Sequence, residues 1–151
     1  MAVPRPERPY VQFNFLVSID GGSSEGFAAG FQEVSTIGME VTVAEYRNGN
    51  DKDNNTRKVS GLNKSSDITL KRGVIGQLDL YKWLHDIRDG RDVKGRTVVI
   101  QLQSEDHSQV VQTWILKNAR IIKYNCGPLN AKGTDVAMEE MVLSYERLEM
   151  E

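Results

Sequence analysis

The chain has 151 residues but only one cysteine and two histidines. A single cysteine, Cys126, excludes an internal disulfide framework and the zinc sites that need several cysteines. With His85 and His107 as the only histidines, little remains for metal binding, so we expect no metal site and no cofactor. Long apolar runs are missing as well, and none approaches the roughly 20 residues of a membrane span. We therefore expect no membrane anchor.

An excess of charge of one sign is also absent. The 19 Lys and Arg residues oppose 21 Asp and Glu residues, a formal net charge of -2. No charge excess directs the chain to nucleic acid or to an anionic membrane surface. Residues 1–9 hold three of the four prolines, which predicts an extended N-terminal arm, with a frayed terminus as the alternative. The same residues lack the apolar stretch of a secretory signal. The length favours a single domain over residues 1–151.

Alternating apolar side chains predict about seven strands. Val and Ile together number 24 against 11 Leu, which favours strands over helices. A glycine-containing turn at 20–24 is predicted to join the first strand to a return strand at 27–31. The period of two is clearest over residues 11–19, 37–46, 97–102, 111–116 and 136–145, with shorter strands at 68–70 and 119–124.

One helix is predicted over residues 75–89. Leu80, Leu84 and Ile87 fall on one face together with Tyr81, and Gly90 stands where a glycine after a helix is expected. Many strands and one helix predict a mainly β fold. We expect two antiparallel sheets in a barrel-like sandwich with one flanking α-helix.

The segment 47–66 is strongly polar, with no large apolar residue over positions 47–58. The sequence predicts a loop of about 20 residues, a length that is uncommon in a compact domain and typical of a functional or disordered segment. Strands with open backbone edges favour pairing between copies of the chain, so an oligomer is expected.

A polar turn at 104–108 brings together side-chain types used by hydrolases, Ser104, Asp106, His107 and Ser108. Adjacent residues in one turn cannot align a nucleophile, a base and an orienting carboxylate, so we predict no catalytic residues and no enzyme. A small-ligand-binding β-barrel with an apolar internal cavity stays open as an alternative of another class.

An ordered set of short motifs spans nearly the whole chain. It comprises residues 13–19 with the following glycine turn, 30–35, 37–40 and 67–73, the helix carrying Leu80, Trp83 and Leu84, then Trp114, 118–119, 126–128 and 137–139. In this order the motifs resemble the tail-tube proteins of contractile phages and of phage-tail-like extracellular injection systems. Ser35-Thr36-Ile37 stands where that family often has Ser-Gly-Leu. The bulk tube protein and a specialised tube-initiating ring at the baseplate therefore both stay open.

The resemblance implies a structural component of a virion or injection particle. Family members form hexameric rings that stack into a rigid inner tube inside a contractile sheath. Contraction drives the tube through the target envelope, with cargo or DNA in the lumen. The implied partners are other copies of the chain, the sheath protein, and the baseplate and spike proteins. We expect assembly in the bacterial cytoplasm and a final location in the particle. The implied fold is similar to the haemolysin-coregulated ring protein of type VI secretion.

Within this resemblance three groups of residues gain expected roles. The polar segment is expected to clasp an adjacent ring through Tyr46, Arg47, Asp51, Lys52, Asp53, Arg57 and Lys58, with a mobile solvent loop as the alternative. Polar positions of two strands are expected to face the lumen, with a merely exposed surface as the alternative: Glu40, Thr42 and Glu139. The polar side of the helix is expected to face the sheath through Lys82, Asp86 and Arg88.

Overall fold

The computed structural model describes residues 2–20, 27–91 and 94–151. In these ranges the strands are β1 (Phe15–Ile19), β2 (Phe27–Ala29), β3 (Glu33–Val34), β4 (Met39–Tyr46), β5 (Arg57–Ser65), β6 (Ile68–Gly73), β7 (Arg96–Gln103), β8 (Val110–Cys126), β9 (Met138–Ser144) and β10 (Arg147–Met150). Helix α1 (Asp79–Arg88) lies between β6 and β7. The predicted turn residues 21–24 lie outside the described ranges.

Eight strands form one continuous sheet, and β4 and β5 form a separate two-stranded sheet. Seven strands of the large sheet follow the order β2-β1-β7-β8-β9-β6-β3, and β10 pairs with β8 beside this path. The pairings are antiparallel. A mainly β fold with antiparallel sheets and one helix is thus confirmed. Among the described residues, the path runs from β2 to β3 without closing into a barrel.

Strand β8 connects the two halves of the large sheet. The sequence predicts two strands here, at 111–116 and 119–124, but the structure has one strand of 17 residues. Its first half pairs with β7 and β10, and its second half pairs with β9. Asn118 lies at the change of partner with a φ of 53°. The change of partner therefore occurs inside a strand, where a non-glycine residue adopts the left-handed region.

The core is formed by side chains at alternate positions of the strands and by one face of α1. Leu80 and Trp83 of α1 pack onto it and are each 1% exposed. The strands contribute Val17, Ile19, Ile68, Leu70, Val98, Ile100, Leu116, Ala119, Ile121, Met141 and Leu143. These side chains pack against one another in one cluster, where a ligand-binding barrel would have an apolar cavity.

Helix α1 begins at Asp79, four residues later than predicted. Gly76 has a φ of 78°, a left-handed conformation that a right-handed helix cannot contain. The predicted apolar face is also rotated, because Trp83 is buried whereas Tyr81 is 48% exposed and stacks on His85. Gly90, with a φ of 74°, follows the last turn as predicted.

The predicted N-terminal arm is bound to the body of the molecule. The Val3 amide donates to the carbonyl of Val111 at 2.8 Å, and the Tyr10 hydroxyl donates to the Val3 carbonyl at 3.0 Å. Further along the same strand, Thr113 and Glu151 exchange two backbone hydrogen bonds. The arm and the residue after β10 therefore cover neighbouring positions of β8.

Candidate assembly surface

Almost every residue of the hairpin formed by β4 and β5 is exposed. Its register runs from Met39 opposite Ser65 to Tyr46 opposite Arg57. All eight residues of β4 are exposed, and so are all residues of β5 except Ser65. At its base the Ser66 amide and the Tyr145 hydroxyl both donate to the carbonyl of Gly38, at 3.2 and 2.8 Å. The predicted loop over 47–66 is thus wrong for 57–65, which form β5.

One face of the hairpin carries a stripe of exposed apolar side chains. Met39, Val41 and Val43 are 64%, 51% and 55% exposed, and their alternate positions place them on the same face. Glu45 continues this face toward the tip. A two-stranded sheet is marginally stable alone, and contiguous exposed apolar side chains are typical of protein contact sites. The apolar stripe, Met39, Val41 and Val43, is therefore a candidate for contact with another chain.

The tip of the hairpin has a defined internal structure. The Arg47 guanidinium donates to the carbonyls of Asp51 and Asp53 at 3.0 and 3.1 Å. The Asp51 carboxylate accepts from the Asn48 amide at 3.1 Å and lies 3.7 Å from the guanidinium of Arg57. The rest of the predicted assembly set is exposed at this end of the hairpin: Tyr46, Lys52 and Lys58. The structure thus brings the predicted set together on one projecting element.

The residues predicted to face a lumen do not share one surface. Glu40 and Thr42 are exposed on β4. Glu139 is only 4% exposed, so its assignment to an exposed lumen face is wrong. Along β9 it alternates in phase with Met141 and Leu143, which are both fully buried. The residue therefore belongs to the inward face of the sheet.

Glu139 is buried because it belongs to an ionic network centred on Arg72. The two residues are register partners in β6 and β9. Arg72 Nε donates to Glu139 at 2.5 Å, and the two Nη groups donate to the two carboxylate oxygens of Asp79 at 3.1 and 2.5 Å. The Tyr124 hydroxyl donates to the second oxygen of Glu139 at 2.5 Å. The network ties α1 to both strands, and period-two counting along them could have placed Arg72 and Glu139 on the buried face.

Burial and hydrogen bonding act in opposite directions on this network. Burial raises the pKa of Asp79, but the hydrogen bonds from Arg72 outweigh it and hold the pKa below its usual value. For Arg72, burial lowers the pKa, but the hydrogen bonds to Asp79 and Glu139 raise it by more, so the pKa lies above its usual value. Burial and the hydrogen bond to Glu139 both raise the pKa of Tyr124. The hydrogen bonds between Arg72 and Asp79 therefore favour the charged form of both groups.

The polar side of α1 carries the three residues predicted to face a sheath. Lys82 and Arg88 are exposed and Asp86 is partly buried. His85 Nε2 lies 3.0 Å from the Asp89 carboxylate. Among the described residues, no cluster of His, Cys, Asp or Glu side chains could hold a metal ion.

The turn at 104–108 lacks the geometry of a catalytic triad. Asp106 accepts hydrogen bonds from the hydroxyls of Ser104 and Ser108 at 2.6 and 2.7 Å, and they lower its pKa to about 2. His107 Nδ1 instead lies 3.1 Å from Gln103 Oε1. The acidic group is therefore not the partner of the imidazole.

In the part of the chain that the structure describes, no helix has the length and apolarity to cross a membrane.

Comparison with known families gives one match across most of the chain. The model of a family described as T4-like virus tail tube protein gp19 matches residues 11–149. No curated protein sequence matches the chain significantly.

Several solved structures have a similar fold. A chain of the sheath-tube complex of an extracellular contractile injection system, PVC, in its extended state is 27% identical with a TM-score of 0.82, over 97% of this chain and 93% of that one. A chain of the anti-feeding prophage baseplate is 24% identical with a TM-score of 0.81, over 95% of each chain. Hcp1 from Flavobacterium johnsoniae shares the fold at 12% identity and a TM-score of 0.54, over 89% of this chain and 94% of that one.

Proposed function

The chain belongs to the T4-like virus tail tube protein family, and from this premise we propose that it forms hexameric rings that stack into the rigid inner tube of a contractile tail or injection system. It is a structural tube subunit and not an enzyme. The family match over residues 11–149 is the observation that carries the proposal. The similarity to a chain of a sheath-tube complex supports it.

The β4–β5 hairpin is the element that we assign to contacts between rings. It projects a charged tip at 47–56 and an apolar stripe that nothing in the described chain covers. A neighbouring subunit would cover the stripe, and the tip charges would meet opposite charges there. Tyr46, Arg47, Asp51, Lys52, Asp53, Arg57 and Lys58 form the proposed clasp.

The assembled ring would also complete the sheet. The large sheet ends at β2 and β3 within the described residues, and unpaired backbone edges favour strand addition from another copy. We assign the barrel-like closure of the sandwich, and a continuous inner wall, to this assembled state. Glu40 and Thr42 are exposed on β4 and are proposed to line the lumen.

The partners follow from the position of a tube subunit in a particle. We assign the polar side of α1, with Lys82, Asp86 and Arg88, to the sheath, and the ends of the tube to the baseplate and spike proteins. Cargo or DNA would occupy the lumen. The subunit would assemble in the bacterial cytoplasm and finish as a component of the particle.

Negative-stain microscopy of the purified protein, or of particles that contain it, tests the function. We expect sixfold rings and tubes. A protein that stays monomeric and free of rings in particle preparations would contradict the assignment. Neighbouring genes for a sheath, a baseplate and a spike, with or without a capsid, separate a phage tail from an injection particle.

Deletion of residues 48–55 tests the clasp. This segment lies in the tip, outside β4 and β5, so the domain should keep its fold as judged by circular dichroism. We expect rings that no longer stack into tubes. Normal tubes from the deletion variant would refute the clasp while leaving the tube function in place.

A further inference from the structure

The β4–β5 hairpin continues the pairing of β3 with β6 along the same two segments of chain. Val34 lies opposite Leu70 in the large sheet, and Met39 lies opposite Ser65 in the hairpin. Both segments advance by the same number of residues between these two pairs, so the register is unchanged. The two sheets are therefore joined through one long pair of segments that is interrupted between them.

The interruption, residues 36–38 and 66–67, is the joint of the hairpin. Within the described residues β4 and β5 pair only with each other, so no strand of the body fixes the direction in which the hairpin points. A depression of about 520 Å³ lies at the joint, where Gly38, Glu40 and Asp67 are among the lining residues. The hairpin therefore has space to swing unless a contact at the joint holds it.

Three hydrogen bonds converge on one atom of the joint, the carbonyl oxygen of Gly38. The amide and the hydroxyl of Ser66 donate to it at 3.2 and 3.1 Å, and the hydroxyl of Tyr145 donates to it at 2.8 Å. Ser66 is part of the joint and would move with it. Tyr145 lies between β9 and β10, 107 residues away in the sequence. The bond from Tyr145 therefore connects the joint to the body of the molecule.

The ring of Tyr145 holds this hydroxyl in a fixed place. The residue is 5% exposed and belongs to the core cluster. Core side chains keep one position because protein interiors are packed as densely as crystals of small molecules. A buried hydroxyl needs a hydrogen-bond partner, and the Gly38 carbonyl provides it. The position of the joint is thus set from the core.

We propose that Tyr145 is a positioning residue for tube assembly, because its hydroxyl holds the joint and so fixes the direction of the hairpin. The inference rests on the proposed contacts of the hairpin between rings and names the residue that prepares them. A hairpin held in one direction before association loses less conformational freedom when subunits join. Tyr145 would act from inside the subunit, since its own side chain is buried.

Single-molecule energy transfer tests the direction of the hairpin in the isolated subunit, at dilutions at which subunits do not associate. In a Cys126→Ser background, dyes are attached to Lys52→Cys at the tip and Gln109→Cys on the body, both at exposed positions. Tyr145→Phe keeps the packed ring and removes only the hydroxyl, so the fold should persist. We expect the distribution of transfer efficiency to be narrow with Tyr145 and to broaden in Tyr145→Phe.

Tyr10→Phe is the matched control. The Tyr10 hydroxyl also donates to a backbone carbonyl, that of Val3 at 3.0 Å, but this bond lies in the N-terminal arm. The control should keep the narrow distribution. Identical distributions in Tyr145→Phe and Tyr10→Phe would overturn the proposal. This measurement needs no tubes, so its outcome is separate from that of the proposed tube function.

A disulfide across the joint tests whether a fixed direction is what Tyr145 supplies to assembly. A Cβ atom on Gly38 would lie 3.2 Å from Ser66 Oγ, so Gly38→Cys and Ser66→Cys are well placed to form a disulfide. With Cys126→Ser, we expect Tyr145→Phe to raise the concentration needed for tube formation severalfold and oxidation of the new pair to lower it again. A reductant should reverse this gain. Unchanged tube formation by Tyr145→Phe, or no effect of oxidation, would contradict the positioning role.

Discussion

At the scale of single residues, Arg72 stands out because it is a buried cation between two carboxylates. Its side chain is 2% exposed, and its guanidinium forms ion pairs with both Glu139 and Asp79, which are 4% and 18% exposed. Tyr124 supplies one more donor to Glu139. A buried pair need not stabilise a fold relative to apolar residues, but removal of one partner leaves an uncompensated charge. Substitution of Arg72 should therefore destabilise the fold strongly, because it would leave two carboxylates without their ionic partner.

Arg72→Met is expected to lower the free energy of unfolding by about 3–5 kcal/mol, because Glu139 and Asp79 would be left without their cation. Urea denaturation followed by circular dichroism measures the change. Lys71→Met in the same strand is the control, since Lys71 is half exposed and should shift stability by no more than about 0.5 kcal/mol. An equal decrease in the free energy of unfolding in the two variants would show that the network stabilises the fold no more than an exposed side chain does.

The tether of the N-terminal arm should depend on pH. Arg5 donates to the Glu105 carboxylate at 2.8 Å, and this bond lowers the pKa of Glu105 from 4.5 to about 2. Since the pKa is lower in the bound state, the tether is at full strength above pH 4.5 and is lost as the pH falls toward 2. The NMR signal of the Val3 amide, which is bonded to Val111, should report the release.

Two variants test whether Glu105 is the group whose titration releases the arm. Glu105→Gln removes the titrating group, so the pH-dependent change of the Val3 signal should disappear. Asp106→Asn removes the neighbouring carboxylate, whose pKa is also about 2 because Ser104 and Ser108 donate to it. This second variant should keep the transition. Persistence of the transition in Glu105→Gln would refute the tether.

At the scale of elements, a strand is predictable from the sequence when one of its faces is buried within the subunit. The sheet strands are predictable because one face is buried and the apolar residues alternate. Residues 57–65 form β5 without such a pattern, because both of its faces are exposed in the subunit. Its strand character comes from pairing with β4, which composition alone does not reveal. The predicted assembly residues at the tip could be proposed from the sequence because they belong to a strongly polar stretch that contributes no side chain to the core.

Two other elements differ from the prediction because of long-range contacts. Glu139 is in phase with the buried Met141 and Leu143 along β9, but a carboxylate is expected at an exposed position, and its ionic partner Arg72 lies on another strand, β6. The sequence predicts two strands in place of β8 because the polar residues Lys117 and Asn118 interrupt the apolar alternation at its middle. The structure carries the strand through this break while it changes partners.

Gly95 lies very close to the backbone of Asn118, where β8 changes partners. A Cβ atom at this position would lie 2.4 Å from the Cα and 2.6 Å from the carbonyl carbon of Asn118. Both are backbone atoms, so the strand itself would have to move. Gly95→Ala is expected to cost about 1–3 kcal/mol in the free energy of unfolding.

Gly49→Ala is the control for this substitution, because nothing lies within 4 Å of a Cβ at that position. It should leave the urea midpoint nearly unchanged. A Gly95→Ala variant as stable as Gly49→Ala would show that β8 does not need the close contact at Asn118.

At the scale of the whole molecule, folding and assembly use different apolar side chains. The core cluster lies in the large sheet and under α1, while the apolar stripe lies on a hairpin that no other part of the described chain covers. Side chains of the stripe gain little burial when the subunit folds. They would become buried when subunits associate, so the two processes should respond to different substitutions.

The double substitution Val41→Thr and Val43→Thr tests this separation. Threonine keeps the branched shape and strand preference of valine but adds a hydroxyl, so the exposed hairpin should persist. We expect the free energy of unfolding of the subunit to change by less than about 0.5 kcal/mol, as for other surface substitutions. Tube formation, followed by pelleting and negative-stain microscopy, should be lost because the contact would then bury two unpaired hydroxyls. Val98→Thr makes the same change at a fully buried position and should destabilise the subunit itself. Normal tubes from the stripe variant would place the subunit contacts elsewhere on the chain, whereas an unfolded stripe variant would show that the hairpin contributes to the fold of the isolated subunit.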